Sequence, residues 1–118
     1  MSHFIAVCTS DGKTIHQHFG RTRAFHIVQI DENGYKYIET RTTNPCCNQF
    51  EHHEHSFDNV LNLLNDCEAI ITGKIGVGAS DYLTSKGMRI FETVGYVDDI
   101  LNEFCRNQLH YFPKKTDN

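Results

Sequence analysis

No stretch of this chain approaches the roughly 20 consecutive apolar residues that a bilayer-spanning helix requires. Met1-Ser2-His3-Phe4 sets no charged region ahead of an apolar one, so no signal peptide is expected either. An excess of positive charge is also missing. The formal net charge is −4 with histidines neutral, which leaves no electrostatic footprint for nucleic acid or an anionic membrane. Nor do the five cysteines form a small disulfide scaffold, being odd in number and irregularly spaced. A reducing cytoplasm, with some thiols free for metal, is the expected setting. No internal repeat or linker divides the 118 residues. A single domain over residues 1–112 is expected, with residues 113–118 as a flexible C-terminal tail. The composition, 39% hydrophobic and 22% charged, is ordinary for a soluble globular protein.

The pattern that is present reads as α/β. Phe4-Ile5-Ala6-Val7-Cys8 is a continuous apolar run, suited to a strand buried on both faces. Residues 24–30 and 35–42 read as two further strands, joined through Asp31-Glu32-Asn33-Gly34, whose Asn-Gly pair is a strong hairpin signal. The period then changes from two to 3.6. Phe57, Val60, Leu61 and Leu64 form an apolar stripe on one helix face, with Ser56 as a suitable N-cap. Residues 69–72 make a fourth strand, 79–85 a second helix, 88–91 a fifth strand, and 97–104 a third helix. The order βββαβαβα predicts a five-stranded mixed sheet with helices on both faces, giving three layers.

Ten residues, Cys46-Cys47-Asn48-Gln49-Phe50-Glu51-His52-His53-Glu54-His55, hold two of the five cysteines and three of the eight histidines. Thiolates and imidazoles select zinc, copper and iron–sulfur centres. The stretch follows Pro45 and precedes the expected helix start at Ser56, so it reads as a loop. Zinc spacing is absent, because there is no Cys-x-x-Cys pair and neighbouring side chains of an extended segment point opposite ways. Cys46, Cys47, His52, His53 and His55 are the candidate metal ligands. His53 and His55 share a side if extended, His52 and His55 if helical. A merely solvated histidine-rich loop is the plain alternative.

Other groups have two readings each. His16 and His18 can project together from a short extended segment, or His18 can buttress the turn at Gly20. Arg21 is an always-charged fork donor suited to anions, or a surface salt-bridge partner. Gly73-Lys74-Ile75-Gly76-Val77-Gly78, between strand and helix, offers Lys74, Gly76 and backbone amides as an anion site, or serves tight packing. It has neither the Walker ending nor a dinucleotide fingerprint. Cys8, Cys67 and Cys105 are expected to act as small core hydrophobes, with Cys8 and Cys105 away from any site.

His18-Phe19-Gly20-Arg21 followed by Ala24-Phe25 resembles the opening signature of the dinitrogenase iron–molybdenum cofactor biosynthesis family. That family includes NifX, NifY and the C-terminal domain of NifB. The similarity continues through Asp66-Cys67-Glu68-Ala69-Ile70-Ile71, Gly73-Lys74-Ile75-Gly76, Gly87-Met88-Arg89-Ile90 and Gly95. The resemblance implies a ribonuclease-H-like fold and transient binding of an iron–sulfur or molybdenum- and iron-containing cluster, without catalytic turnover. It also implies cluster donor and acceptor proteins as partners. With it, His18, Arg21, Lys74 and Gly76 become candidate contacts for a cluster. A monomer or weak homodimer is expected.

Two other functions use the same residues. A zinc- or nickel-binding regulatory module could use the Cys/His loop. A ribonuclease-H-like nuclease would need carboxylates converging at strand ends. The sequence offers Asp11, Asp66 and Asp81 on separate elements, Cys8 rather than a carboxylate on the first strand, and an acidic net charge. The cluster-binding reading is favoured over both.

Overall fold

The computed structural model describes residues 2–43 and 53–112. Cys46, Cys47, His52 and the 113–118 tail therefore lie outside the described residues. The elements run β1 (His3–Cys8), β2 (Thr14–Ile15), a 3₁₀ turn (Phe19–Arg21), β3 (Ala24–Asp31), β4 (Gly34–Thr42), α1 (His53–Leu63), β5 (Ala69–Thr72), α2 (Val77–Ser85), β6 (Arg89–Glu92), β7 (Gly95–Tyr96), α3 (Val97–Arg106) and α4 (Gln108–Tyr111).

Five strands form one mixed sheet in the order β4-β3-β1-β5-β6. β3 is antiparallel to both its neighbours, whereas β1, β5 and β6 run parallel. β1 is central because it is apolar on both faces. Ala6 and Cys8 join Phe25, Ile27 and Ile70 beneath α1 and α2. Ile5 and Val7 join Val28, Ile30 and Ile71 beneath α3. The expected helix stripe is buried: Phe57 is 4%, Val60 2% and Leu64 0% exposed. Helices thus cover both faces, as the change of period predicts. Among the described residues no helix is long and apolar enough to cross a membrane.

Besides the short added helix α4, three details differ from the expectation. Helix α1 begins at His53 rather than after Ser56, because its first turn is polar and carries no apolar periodicity. The β3–β4 hairpin holds a bulge: Ile27 pairs with Glu39 and Val28 with Tyr37, so Ile38 is the extra residue. A second sheet, β2 with β7, pins the 9–15 turn to the start of α3, and Val97 N–H donates to the Lys13 carbonyl at 2.8 Å.

The parallel strands β1, β5 and β6, together with β4, all end at one edge of the sheet, where β3 begins. The chain leaves β1 toward β3 on one side, and leaves β5 toward β6 on the other. Adjacent strands whose exits diverge open a crevice at their carboxyl ends, the usual ligand position in open α/β sheets.

Candidate functional site

A strap of residues 16–19 fills the crevice between the ends of β1 and β5. Gly73 N–H donates to the Gln17 carbonyl at 3.1 Å and Phe19 N–H to the Lys74 carbonyl at 2.7 Å. His18 and Lys74 form a parallel backbone bridge. The approach is close enough to require glycine at 73. A Cβ there would lie 2.8 Å from the His16 carbonyl carbon and 2.9 Å from the Gln17 oxygen. By contrast, a Cβ on Gly76 or Gly78 would meet nothing within 4 Å. Gly73 is therefore the packing glycine of the turn, whereas the sequence reading assigned tight packing to the 73–78 turn as a whole. The legible signal was its place directly after the apolar strand 69–72.

His16, His18, Arg21 and Lys74 are all exposed along this edge. Arg21 N–H donates to the His18 carbonyl at 3.0 Å, holding the 3₁₀ turn that follows His18. Among the described residues no carboxylate forms a salt bridge with Arg21 or Lys74. Part of the expected anion cradle is already used: Ile75 N–H donates to a Glu92 carboxylate oxygen at 2.7 Å. Gly76 caps α2 with no side-chain hydrogen bond, and Val77 beside it is 76% exposed.

Cys8 contradicts one expectation. It is not remote but lies under the strap, fully buried, against the Thr22 and Thr72 side chains. Burial pushes its thiol up to about 12, so it faces the site as an apolar floor. Cys67, on the α1-bearing face, is pushed to about 12 by burial and the Asp66 charge. Cys105 lies on the α3-bearing face, its thiol raised chiefly by burial.

The described residues on either side of the Cys/His stretch, Thr43 and Phe57, both meet the segment that carries His18 and Arg21. Thr43 N–H donates to the Arg23 carbonyl at 2.8 Å. At the other end, the Phe57 ring of α1 packs 6.4 Å from that of Phe19. A further clamp joins β4 to the end of α1: Arg41 donates to both Asp66 carboxylate oxygens, at 2.7 and 2.8 Å, and to the Leu63 carbonyl at 2.9 Å. His53 and His55 lie at the start of α1, and their side chains lie outside the described residues. Among the described residues no three His, Cys, Asp or Glu side chains converge on a metal-sized position.

The nuclease carboxylates do not converge either. Asp11 accepts from Lys13 and Thr14 N–H at 2.8 and 2.9 Å, and these bonds hold it well below the usual carboxylate range. Asp66 is held at about 2 by Arg41, and Asp81 is exposed on α2.

A mixed five-stranded sheet covered by helices, with exposed basic side chains along its carboxyl edge, defines a small α/β domain. The dinitrogenase iron–molybdenum cofactor family matches residues 1–107, and the chain belongs to that family. It is similar to the FeMo cofactor biosynthesis protein NifB of Herbaspirillum seropedicae, 24% identical over 97% of this chain and 24% of that protein. The NifB of Frankia alni is 26% identical over 84% of this chain and 20% of that protein. The chain thus spans about a quarter or less of these relatives. Among solved structures, the crystal structure of PH0822 superposes with a TM-score of 0.67 and 24% identity, covering 87% of this chain and 88% of that one.

Proposed function

We propose that this domain binds and hands on an iron–sulfur or iron–molybdenum type cluster, as a carrier or assembly protein without catalytic turnover. The observation that carries this reading is that Thr43 and Phe57, on either side of the Cys46–Cys47 stretch, both meet the segment presenting His18 and Arg21. Membership of the cofactor family and the names of the NifB relatives support it. In this reading Cys46 and Cys47 supply thiolate and His52, His53 and His55 supply imidazole. His18 adds a ligand, Arg21 and Lys74 offset the negative charge of the cluster, and Gly76 lets it approach the backbone. The edge is open to solvent, so the cargo can leave. Its donor and acceptor would be other cofactor-assembly proteins in the cytoplasm, met as a monomer or weak homodimer, with neither nucleic acid nor membrane as partner. The strand order, with β3 alone reversed, supports a ribonuclease-H-like scaffold. The locked Asp11 and Asp66 favour binding over nuclease chemistry.

Anaerobic reconstitution with iron and sulfide, with or without molybdate or tetrathiomolybdate, tests this. A coloured protein with thiolate charge-transfer bands is expected. The Cys46→Ser/Cys47→Ser variant should lose them, because a hydroxyl is a poor soft-metal ligand. His18→Ala and Arg21→Ala should weaken uptake less. Cluster uptake by the double variant equal to that of the parent would refute the loop as the ligand set.

A further inference from the structure

A cavity of about 330 Å³ lies between the N-terminal half of α3 and the β3–β4 hairpin. It uses none of the residues assigned to the cluster. Its floor is apolar and closed, with Val7 0%, Val28 3%, Val97 7% and Leu101 1% exposed. The hairpin bulge sets Tyr37 opposite Val28, and its ring meets His26 edge-on at 5.5 Å. Gly12, at φ +75°, roofs the cavity; a Cβ there would press to 3.2 Å from His26 Cε1. This wall is therefore held open by a glycine that the turn requires in any case.

Polar groups converge on this apolar floor. Tyr35 donates its phenolic hydrogen to Asp98 Oδ1, and that bond, together with burial, pushes the phenol up to about 12. The tyrosine thus stays a neutral donor at neutral pH. Asp98, on the first turn of α3, is the only Asp, Glu, Lys or Arg among the residues lining the cavity. No described side chain forms a salt bridge with it. Tyr37, 57% exposed, has open ring area at the mouth. A carboxylate without a cationic partner, flanked by aromatic rings above an aliphatic floor, has the recognition chemistry of an organic cation. The carboxylate pairs the charge, the rings attract it through their negative faces, and the floor takes an apolar body. The volume falls at the lower end of the range for small-molecule sites, roughly 300–1,000 Å³.

The geometry points to a binding site for a small organic cation, an ammonium or amidinium on a short aromatic or aliphatic body, seated between Asp98 and Tyr37. Benzamidine is the probe, with benzamide as its neutral isostere and benzoate as its anionic one. Titrations on the full chain are followed by amide chemical shifts at Gly12, His26, Tyr37 and Asp98. Saturable shifts with benzamidine, and at least tenfold weaker ones with benzamide and benzoate, are expected. Asp98→Asn should weaken benzamidine binding at least tenfold. Tyr37→Ala should weaken it about two- to fivefold, the scale of an exposed cation–π contact. Tyr35→Phe frees the Asp98 oxygen and should leave binding equal or tighter, an outcome a purely structural Tyr35–Asp98 pair would not produce. Equal binding of benzamide, undiminished binding to Asp98→Asn, or no saturation with benzamidine would each overturn the assignment. The cluster site is a separate readout, since loss of iron–sulfide colour on Cys46/Cys47 substitution bears on the other reading alone.

Discussion

Gly73→Ala tests the architecture of the cluster edge at its tightest point. The added methyl would sit 2.8 Å from the His16 carbonyl carbon, 2.9 Å from the Gln17 oxygen and 3.0 Å from the Gln17 nitrogen. All three are backbone atoms, so no side chain can swing aside. Either β5 and its turn shift, or the strap moves outward with His18 and Phe19. Forcing extra volume into a closed contact costs about 1–3 kcal/mol. Moving the strap also strains the Gly73–Gln17 and Phe19–Lys74 hydrogen bonds, each worth about 1 kcal/mol net. Together the loss is about 2–4 kcal/mol, read by urea unfolding with an unchanged m-value. Gly76→Ala and Gly78→Ala are the controls, since nothing lies within 4 Å of either new Cβ. In α2, Gly78→Ala should stabilise by up to about 1 kcal/mol through helix propensity. A Gly73→Ala protein within about 0.5 kcal/mol of the parent, or a Gly76→Ala protein equally damaged, would refute the strap argument.

Leu64→Ala removes a fully buried side chain beneath the α1-bearing face and should cost about 2–5 kcal/mol by denaturant titration. The Asp66 carboxylate, depressed from 3.8 to about 2 by Arg41, favours the fold above pH 4. That contribution is lost as pH falls from about 4 toward 2, and Arg41→Met should flatten this part of a stability–pH curve. The change should stay within about 1 kcal/mol, because the Asp66 side chain is 49% exposed to solvent. The raised thiols of Cys8 and Cys67 should react slowly with a disulfide reagent at pH 8. In Cys46→Ser/Cys47→Ser, thiol titration should show slow phases only, and a remaining fast thiol would contradict the assignment.

Long-period features of the fold were legible from the chain. The Phe4-to-Cys8 run is apolar at every position, so it had to be central, and the Phe57, Val60, Leu64 stripe had one possible inward face. What escaped was decided by long-range contact. β2 and β7 contribute two residues each, too few for any period to show, yet they fix the 9–15 turn over the α3-side cavity. Gly73, Gly76 and Gly78 look alike in sequence. Their difference lies in backbone atoms of residues 16 and 17, far away along the chain. Glu92 was invisible for the same reason, because its role depends on reaching the Ile75 amide across the turn. The α1 start was misplaced because His53-Glu54-His55 has no apolar repeat to mark it.

The placement of the cysteines argues for the division of labour within the edge. A soft-metal site needs thiolate, and the described thiols are all pushed away from it: Cys8 and Cys67 to about 12, and Cys105 upward as well. Cys8 lies nearest the crevice, yet ionising it would place a charge in the fully buried contact with Phe19 and Phe25. In the proposed reading, soft ligation therefore falls to Cys46 and Cys47 rather than to a core thiol. The proposed countercharges, Arg21 in the 3₁₀ turn and Lys74 in the turn after β5, also sit outside the buried core. A carrier needs that separation, because a cluster gripped by core thiols could be released only by opening the fold.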